Sequence, residues 1–430
     1  MWDKWLGFSR CSAATNEAER RGERQKDPYT GEWEMIVNGF RAGFGALLGL
    51  AGVLLVTRSQ AEDLIVSAND GKFVRVDGRA TFPQPAPPDS LAIIDATQFP
   101  PRIKATVEGI EHTVQGPPQA VAITPNGKLA IIGSPSRYDY AAKKESFDTF
   151  LQIVDLDASP PQLIGKVEIG AHPNGLAINP EGTLLLAAAL DGTVKVLSIT
   201  GKDVTLLTQI KVGEKRLSGV SFTHDGKAAL VALRDEGGVA VLSVEGSNVK
   251  LTDERISAGI APYCVDVSSD GKWASISNVG LAGLAGYAGK TVGDADVVTL
   301  IDVSKRPFRA VQHLTVPSIP EGAALAPNGQ WLAVQTMDGS NLTPDNPGRH
   351  KIGKIILFAI GDGGATKVNE LPNGEAAQGI VFTKDSQNIV VQFDVERMLA
   401  VYGVRDGKLV DTGERLKLAA GPVSIRSMPR

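Results

Sequence analysis

Cysteine, strong net charge and metal-binding patterns are all scarce in this chain of 430 residues. The two cysteines are Cys11 and Cys264, and Cys11 lies in a segment interpreted below as a leader, so we expect no disulfide within the mature chain. No CxxC pair or Cys/His cluster of the kind that holds zinc or haem is present. A formal net charge of −4 gives no strong basic field for nucleic acid. We therefore predict no metal and no cofactor, and we find no strong signal for a nucleic-acid partner, although a local basic patch stays open.

Motifs that bind nucleotides or build common active sites are also missing from the sequence. It has no GxGxxG on a strand-to-helix turn, no Walker A motif and no HExxH. It has no GxSxG nucleophile elbow either. A function must therefore be argued from the organisation of the chain and from scattered polar side chains.

The N-terminal region has the pattern of a targeting segment. Residues 43–56 are an uncharged apolar run of about 14 residues, which is short for a membrane span of roughly 20 and typical of a signal-peptide core. Small residues at Ser59 and Ala61 predict cleavage after Ala61, and Met35 is a more conventional start than Met1. We therefore interpret residues 1–61 as an extension with a signal peptide, and predict a periplasmic or secreted bacterial protein. An uncleaved membrane anchor is the alternative.

A repeated hairpin fills the rest of the chain. Short apolar strands flank turns such as Pro-Asn-Gly, Pro-Glu-Gly and His-Asp-Gly, in which glycine tolerates the positive φ of a hairpin turn. A third and a fourth apolar strand follow each hairpin, for example residues 193–198 and 208–212. The turn glycines recur 44 to 58 residues apart, and they are Gly127, Gly182, Gly226, Gly271 and Gly329. This period predicts an all-β propeller of four-stranded antiparallel blades.

Six hairpins account for six blades, and both chain ends together supply a seventh. Residues 91–96 and 102–107 read as third and fourth strands, and residues 64–68 as a second strand. The missing first strand matches residues 421–427, so we predict a seven-bladed ring over residues 62–430 that N- and C-terminal strands close. This closure would remove the open sheet edges. In the alternative, residues 64–76 form the first hairpin and the C-terminal strand is extra.

One stretch, residues 170–197 (GAHPNGLAINPEGTLLLAAALDGTVKVL), resembles the YVTN-repeat family of bacterial propellers and, more loosely, the lactonase-like seven-bladed propellers. The resemblance extends over roughly residues 62–430. It implies a range of roles: cell-surface and periplasmic proteins, lactone-processing enzymes, and subunits of quinone-dependent amine dehydrogenases. WD40 repeats fit less well, because their Trp-Asp and Gly-His dipeptides do not recur here.

Long insertions are concentrated at one type of connection. If the strands of a blade are lettered a to d from the centre outwards, the b–c and d–a loops share one face and the a–b and c–d loops share the other. The a–b turns are short and uniform, whereas four b–c connections are long: residues 69–90, 135–149, 278–296 and 338–353. Long loops gathered on one face of a rigid scaffold are where binding is usually found.

The candidate site residues come from these loops. As catalytic residues we predict His172, Arg216, Glu321 and Arg349. As ligand-binding residues we predict Tyr138, Tyr263, Tyr287 and His350. Structural interpretations stay open: a loop hydrogen bond for His172, an ion pair between Arg216 and Glu321, and plain loop surface for Arg349 and His350.

Three functions are compatible with this sequence. The first is an exported propeller that binds a small molecule or a periplasmic protein on the face with the insertions, and it needs no catalytic motif. The second is a lactonase-type hydrolase, as the resemblance implies, in which His, Arg and Glu near the channel mouth activate water and stabilise an oxyanion. The third is the large subunit of a quinone-dependent dehydrogenase, which would require a cofactor-bearing partner.

Overall fold

The computed structural model describes residues 62–285 and 295–429. The predicted leader, residues 1–61, lies outside the described residues, so its cleavage stays a prediction. Within the described ranges the chain is almost entirely β-structure, and its one helix, α1 (Gly280–Ala285), has six residues. Among these residues, therefore, no helix is long enough to cross a membrane.

The strands follow one another in chain order with short connections. The first sixteen are β1 (Leu64–Asp70), β2 (Val74–Val76), β3 (Arg79–Thr81), β4 (Ser90–Asp95), β5 (Arg102–Glu108), β6 (Val121–Ile123), β7 (Leu129–Ile132), β8 (Ser136–Asp139), β9 (Lys144–Phe147), β10 (Phe150–Asp155), β11 (Gln162–Glu168), β12 (Pro173–Ile178), β13 (Leu184–Ala189), β14 (Thr193–Thr200), β15 (Asp203–Lys211) and β16 (Val220–Phe222). The others are β17 (Ala228–Ala232), β18 (Val239–Glu245), β19 (Asn248–Ile256), β20 (Pro262–Val267), β21 (Trp273–Asn278), β22 (Asp296–Asp302), β23 (Arg309–Val316), β24 (Gly322–Leu325), β25 (Trp331–Thr336), β26 (Lys354–Gly361), β27 (Gly364–Pro372), β28 (Ile380–Phe382), β29 (Asn388–Phe393), β30 (Met398–Arg405), β31 (Lys408–Lys417) and β32 (Gly421–Ser427).

Seven four-stranded antiparallel sheets form the blades of a propeller, which confirms the predicted fold class. From the centre outwards, blade 1 is β32-β1-β4-β5, blade 2 is β6-β7-β10-β11 and blade 3 is β12 to β15. Blades 4 to 7 then take four consecutive strands each, from β16 to β31. Two extra hairpins, β2-β3 and β8-β9, lie within the b–c insertions of blades 1 and 2. The a–b turns use glycine at positive φ, as at Gly127 (68°) and Gly182 (73°).

The two ends of the propeller domain meet in blade 1, as predicted. Strand β32 pairs antiparallel with β1, from Ile65 opposite Ser427 to Asp70 opposite Gly421. On its other side β1 pairs with β4, so the alternative in which residues 64–76 form the first hairpin is wrong. This pairing gives blade 1 its innermost strand, and it ties strand β32 to β1.

The hydrophobic core lies between the faces of neighbouring blades. Strand β13 (LLLAAA) is buried along its whole length because both of its faces meet a neighbouring blade. The outer strand β15 of the same blade is mostly exposed. Burial of each leucine of β13 contributes roughly 1.5–3 kcal/mol. The scaffold that carries the loops is therefore rigid near the channel and polar at its periphery.

A hydrogen-bonded crossbar divides the central channel. The side-chain amide of Gln119, just before β6 in blade 2, donates to the carbonyl of Val265 in blade 5 at 2.9 Å. The amide N–H of Val265 donates back to Gln119 Oε1 at 3.0 Å. A cavity lies on each side of this crossbar, and the two cavities share no lining residue. We call the face with the b–c and d–a loops the decorated face and the other the plain face.

Candidate functional site

The decorated-face cavity, of about 340 Å³, brings four of the predicted site residues together. They are His172, Arg216, Tyr263 and Glu321, and all four belong to d–a connections or to the strand that follows one. These connections lie nearest the channel because each of them links an outer strand to the next inner strand. The topology therefore gathers side chains that are up to 149 residues apart in the chain, the separation of residues 172 and 321.

The insertion of blade 2 fixes the orientation of His172. Its Nδ1 lies 2.9 Å from the backbone carbonyl of Asp148, which can only accept, so Nδ1 carries the proton. The ring of Phe147 packs edge-on against the imidazole, with centroids 5.2 Å apart. Burial lowers the pKa of His172, so the ring is neutral at pH 7. Its Nε2 is buried, has no hydrogen-bond partner among the described residues and keeps a free lone pair.

Two arginines share one carboxylate at the cavity wall. Arg216 Nε donates to Asp235 Oδ2 at 2.5 Å, and Arg234 Nη1 donates to Asp235 Oδ1 at 3.1 Å. Arg234 also donates to the carbonyl of Gly283 at 2.8 Å, and its guanidinium lies 5.2 Å from the centre of the Tyr263 ring. With two guanidinium groups and one carboxylate, this wall has a net positive charge. The predicted ion pair between Arg216 and Glu321 is wrong, because the partner of Arg216 is Asp235.

Glu321 is a buried carboxyl group with an unusual protonation state. Burial raises its pKa to about 8, although the positive charges of Arg234 and Arg75 oppose this rise. At pH 7 the group is therefore mostly neutral. Its Oε2 has no hydrogen-bond partner among the described residues. A carboxylic acid in this state donates or accepts a hydrogen bond according to what approaches it.

Three lining residues share one property that marks this cavity. His172 Nε2, Glu321 Oε2 and Asn341 Oδ1 are all buried polar atoms without a hydrogen-bond partner among the described residues. Each such atom costs about 1–3 kcal/mol if nothing satisfies it. Native proteins keep few of them, and a cluster in one cavity indicates a binding site.

The predicted site residues Arg349 and His350 do not line the decorated-face cavity. Arg349 folds back on its own loop, where it donates to the carbonyls of Ser340 (2.9 Å) and Leu342 and pairs with Glu375 at 3.1 Å. It therefore holds the blade 6 insertion in shape and does not line the cavity. His350 is 61% exposed in its side chain and lies 3.1 Å from Asp338.

Of the two predicted insertion tyrosines, the structure describes only Tyr138, and this residue does not line the cavity. Tyr138 stacks on Phe82 with centroids 3.8 Å apart, so it joins the insertions of blades 1 and 2 rather than lining the cavity. Tyr287 lies outside the described residues. Its predicted role in ligand binding stays a prediction.

Sequence analysis missed Arg234, Asn174 and Asn341. Arg234 sits in a short b–c turn of blade 4, and our prediction followed the long insertions. Asn174 is at the start of β12, where its side chain donates to the carbonyl of Leu217 at 2.8 Å. Arg234 is followed by Asp235, Glu236 and two glycines, and this compact charged turn beside the channel was the available signal.

The plain-face cavity is smaller, about 140 Å³, and has a different character. Arg426 and Asp266 form an ion pair across it at 3.5 Å. The thiol of Cys264 is fully buried and donates to the backbone carbonyl of Glu321 at 3.0 Å, and burial raises the pKa of this thiol, so it stays protonated. Cys264 is a core residue. In the described ranges, no three His, Cys, Asp or Glu side chains are placed to hold a metal ion.

Comparisons with known proteins agree on the propeller fold. A family model described as WD domain, G-beta repeat matches residues 166–198, which is one segment of blades 2 and 3. The WD40 resemblance that we ranked lower is thus the one with a direct match, and the YVTN assignment stays a prediction. No curated protein matches the chain.

Three solved structures illustrate the likeness, all at low identity. A candidate 6-phosphogluconolactonase of Bacteroides uniformis is 17% identical, with a TM-score of 0.61 over 86% of this chain and 100% of that one. The periplasmic gluconolactonase of Pseudomonas aeruginosa is 15% identical, with a TM-score of 0.58 over 85% and 99%. Kuenenia stuttgartiensis hydrazine synthase is 19% identical, with a TM-score of 0.54 over 75% and 92%. At these identities the likeness establishes the fold alone.

Proposed function

We propose that the protein is an exported β-propeller that binds a small, oxygen-rich molecule in the decorated-face cavity. The observation that carries this proposal is the convergence of His172 Nε2, Glu321 Oε2 and Asn341 Oδ1, three buried polar atoms without partners, in one cavity. A ligand with hydroxyl groups would satisfy them. The leader-like pattern of residues 43–61 supports export.

The shape of the cavity favours a small molecule over a protein partner. Its volume of about 340 Å³ lies at the lower end of the roughly 300–1,000 Å³ that ligand pockets occupy. The crossbar between Gln119 and Val265 closes the channel beneath it. Arg234 and Glu321 are nearly fully buried, so the flat surface of a protein would not reach them.

Lactone hydrolysis is a second candidate, which the state of His172 favours. A neutral imidazole with Nδ1–H fixed on a backbone carbonyl has the tautomer of a general base. His172 Nε2 would take a proton from water as the water oxygen bonds to the lactone carbonyl carbon. Arg234 or Arg216 would stabilise the oxyanion. The ring C–O bond would then break, and the leaving alkoxide would take the proton back, which gives a hydroxy acid.

Binding and turnover of simple probes separate these functions. The purified protein is titrated calorimetrically with glucono-δ-lactone, δ-valerolactone and the corresponding hydroxy acids, and hydrolysis is followed by acid release in a pH-stat. If hydrolysis occurs, His172→Gln lowers kcat at least about 100-fold and changes KM little. Ser221→Ala in the plain-face cavity is the matched control and leaves both unchanged.

Each outcome decides between the candidates. Binding without turnover supports a ligand-binding propeller and excludes the lactonase. Failure of every lactone and hydroxy acid to bind at millimolar concentration contradicts the proposed function. The dehydrogenase-subunit alternative is not favoured by any feature of the described residues and stays a prediction.

A further inference from the structure

Buried polar side chains and exposed apolar side chains both line the decorated-face cavity, together with buried apolar residues such as Val279 and the partly exposed Arg216. The buried polar side chains of the cavity include Glu321, which is 3% exposed, Asn341 at 5% and Arg234 at 8%. Two large apolar side chains line its opening, and these are 44% exposed at Phe147 and 37% exposed at Leu190. We call these buried polar side chains the floor of the cavity and the exposed apolar side chains its rim.

A third exposed apolar side chain is adjacent in the chain to a residue that lines the cavity, and we include it in the rim. Leu281 of α1 is 58% exposed, and its neighbour Ala282 lines the cavity. The three rim residues come from three different b–c connections, those of blades 2, 3 and 5. Single exposed apolar residues are common on protein surfaces, whereas several around one opening indicate a surface that is used.

Each rim residue is tied to the polar floor or wall. Phe147 packs edge-on against the His172 ring, and the backbone N–H of Leu190 donates to the His172 carbonyl at 3.1 Å. Helix α1, which carries Leu281, is held by the bond from Arg234 to the Gly283 carbonyl. The rim and the floor are therefore parts of one built site, and a ligand that reaches the floor passes along the rim.

We propose that the ligand of this cavity is amphipathic: a lactone or hydroxy-acid head at the floor, and an alkyl chain or an aromatic ring against the rim residues Phe147, Leu190 and Leu281. This inference rests on the proposed function and names its ligand class. The hydroxyl group of a hydroxy-acid head would donate to the buried acceptors His172 Nε2 and Asn341 Oδ1. Its carboxylate, like the carbonyl oxygen of a lactone head, suits the positively charged wall and the neutral Glu321. An alkyl substituent would bury the apolar rim side chains, which is favourable. The hydroxyl groups of a polyol in the same place would lose their hydrogen bonds to water and gain no new partner, which is unfavourable.

A homologous series of lactones tests the inference. The probes are δ-valerolactone, δ-hexalactone, δ-octalactone and δ-decalactone, which share one head and differ in chain length, with glucono-δ-lactone as the polyol. The Kd of each is measured by calorimetry on the full chain, with the same series of hydroxy acids if the lactones are turned over. We expect the affinity to rise about 2- to 4-fold per added methylene, because a fully buried methylene corresponds to about 4-fold.

Variants of the rim residues test where the alkyl chain of the ligand lies. Leu190→Ser and Phe147→Ser lower the gain per methylene, and the slope of the series is compared rather than one affinity, since Phe147 also packs on His172. The matched control is Leu207→Ser, because Leu207 is 46% exposed on the outer strand β15, away from the channel. This variant keeps the wild-type slope.

The outcomes distinguish this inference from the proposed function. A flat series together with tight binding of glucono-δ-lactone overturns the amphipathic ligand and keeps a small-molecule site. If no lactone and no hydroxy acid binds, the proposed function fails as well. If the series is flat and Phe147→Ser instead abolishes attachment to phosphatidylcholine vesicles, the rim is a membrane-docking surface and the inference is wrong.

Discussion

The two mouths of the channel are built on the same seven strands but differ in how their polar groups are satisfied. At the plain face, polar side chains of the a–b turns form hydrogen bonds within the same turn: Thr223 donates to Asp225 at 2.7 Å, and Ser268 donates to Asp270 at 2.5 Å. At the decorated face, His172, Glu321 and Asn341 keep buried atoms without partners. The repeat therefore maintains the fold, and these unsatisfied polar groups are found where the connections depart from the repeat.

Loop length explains this difference. A short a–b turn reaches only its own residues, so its polar side chain bonds two positions along the chain. A b–c insertion reaches across to another blade, as when Asp148 of the blade 2 insertion bonds His172 before blade 3. Long loops can therefore hold a side chain in place while leaving one of its polar atoms free for a ligand.

The largest effect is expected from a change at the crossbar, which separates the decorated-face cavity from the plain-face cavity. Gly219 lies against the crossbar, and a Cβ there would meet the Tyr263 carbonyl oxygen at 2.5 Å and Gln119 Oε1 at 2.7 Å. Gly219→Ala should therefore lower the free energy of unfolding by more than about 3 kcal/mol, because backbone cannot move aside cheaply. Chemical denaturation measures this. Gly165→Ala is the control, since a Cβ at Gly165 meets nothing within 4 Å, and an equal loss there would refute the account of the crossbar.

The protonation of Glu321 at the decorated mouth should make the free energy of unfolding depend on pH. Its folded pKa of about 8 lies above the ordinary value of 4.5, so between these values the folded state binds a proton that the unfolded state lacks. The contribution of Glu321 to stability therefore falls as the pH rises from 4.5 to 8. The Glu321→Gln variant lacks this loss. The difference in free energy of unfolding, variant minus wild type, should therefore rise by on the order of 3 kcal/mol between pH 5 and pH 8.

Denaturant unfolding at several pH values measures that effect. The control is Glu108→Gln, which changes an exposed carboxyl group on the outer strand β5. It should leave the pH dependence of stability unchanged. A parallel pH dependence for Glu321→Gln and the wild type would show that Glu321 is ionised throughout.

Arg349 tests whether the decorated face beyond the cavity is structural. Arg349→Gln should lower the free energy of unfolding by about 1–2 kcal/mol, because the carbonyls of Ser340 and Leu342 and the carboxylate of Glu375 lose their donor. Binding of lactone or hydroxy-acid probes should stay within about 2-fold of the wild type. A loss of binding larger than 10-fold without loss of stability would restore the predicted catalytic role.

The smallest effect is expected at the plain mouth. Ser221→Ala should change the free energy of unfolding by less than about 0.5 kcal/mol, since Ser221 is only half-buried and the substitution removes one hydroxyl oxygen. Thermal unfolding with and without the probes checks this. A change in probe binding for this variant would indicate that the probes bind at the plain face and would contradict the proposed site.

The fold was predictable because the repeat is strong. The hairpins at Gly127, Gly182 and Gly226 share one spacing pattern, and the apolar strand at residues 421–427 had no other partner. His172, Arg216, Tyr263 and Glu321 were predictable at the site because d–a loops lie beside the channel in any propeller.

The remaining parts of the site depend on contacts that a sequence does not display. Nothing in the sequence shows that Arg349 turns back to its own loop carbonyls, or that Tyr138 stacks on Phe82. Arg234 was missed because its turn is short, although Asp235 beside it pairs with both wall arginines. Which of several loop side chains faces a cavity is decided by tertiary packing, and loop length alone does not report it.

Hydrogen exchange measured by mass spectrometry, with and without saturating δ-octalactone or its hydroxy acid, tests the central claim most directly. The account predicts slower exchange in peptides that cover residues 145–149, 170–175 and 319–322 at the decorated mouth, and unchanged exchange in residues 221–226 and 266–271 at the plain mouth. Protection confined to the plain-mouth peptides, or none in either set at saturation, would contradict it.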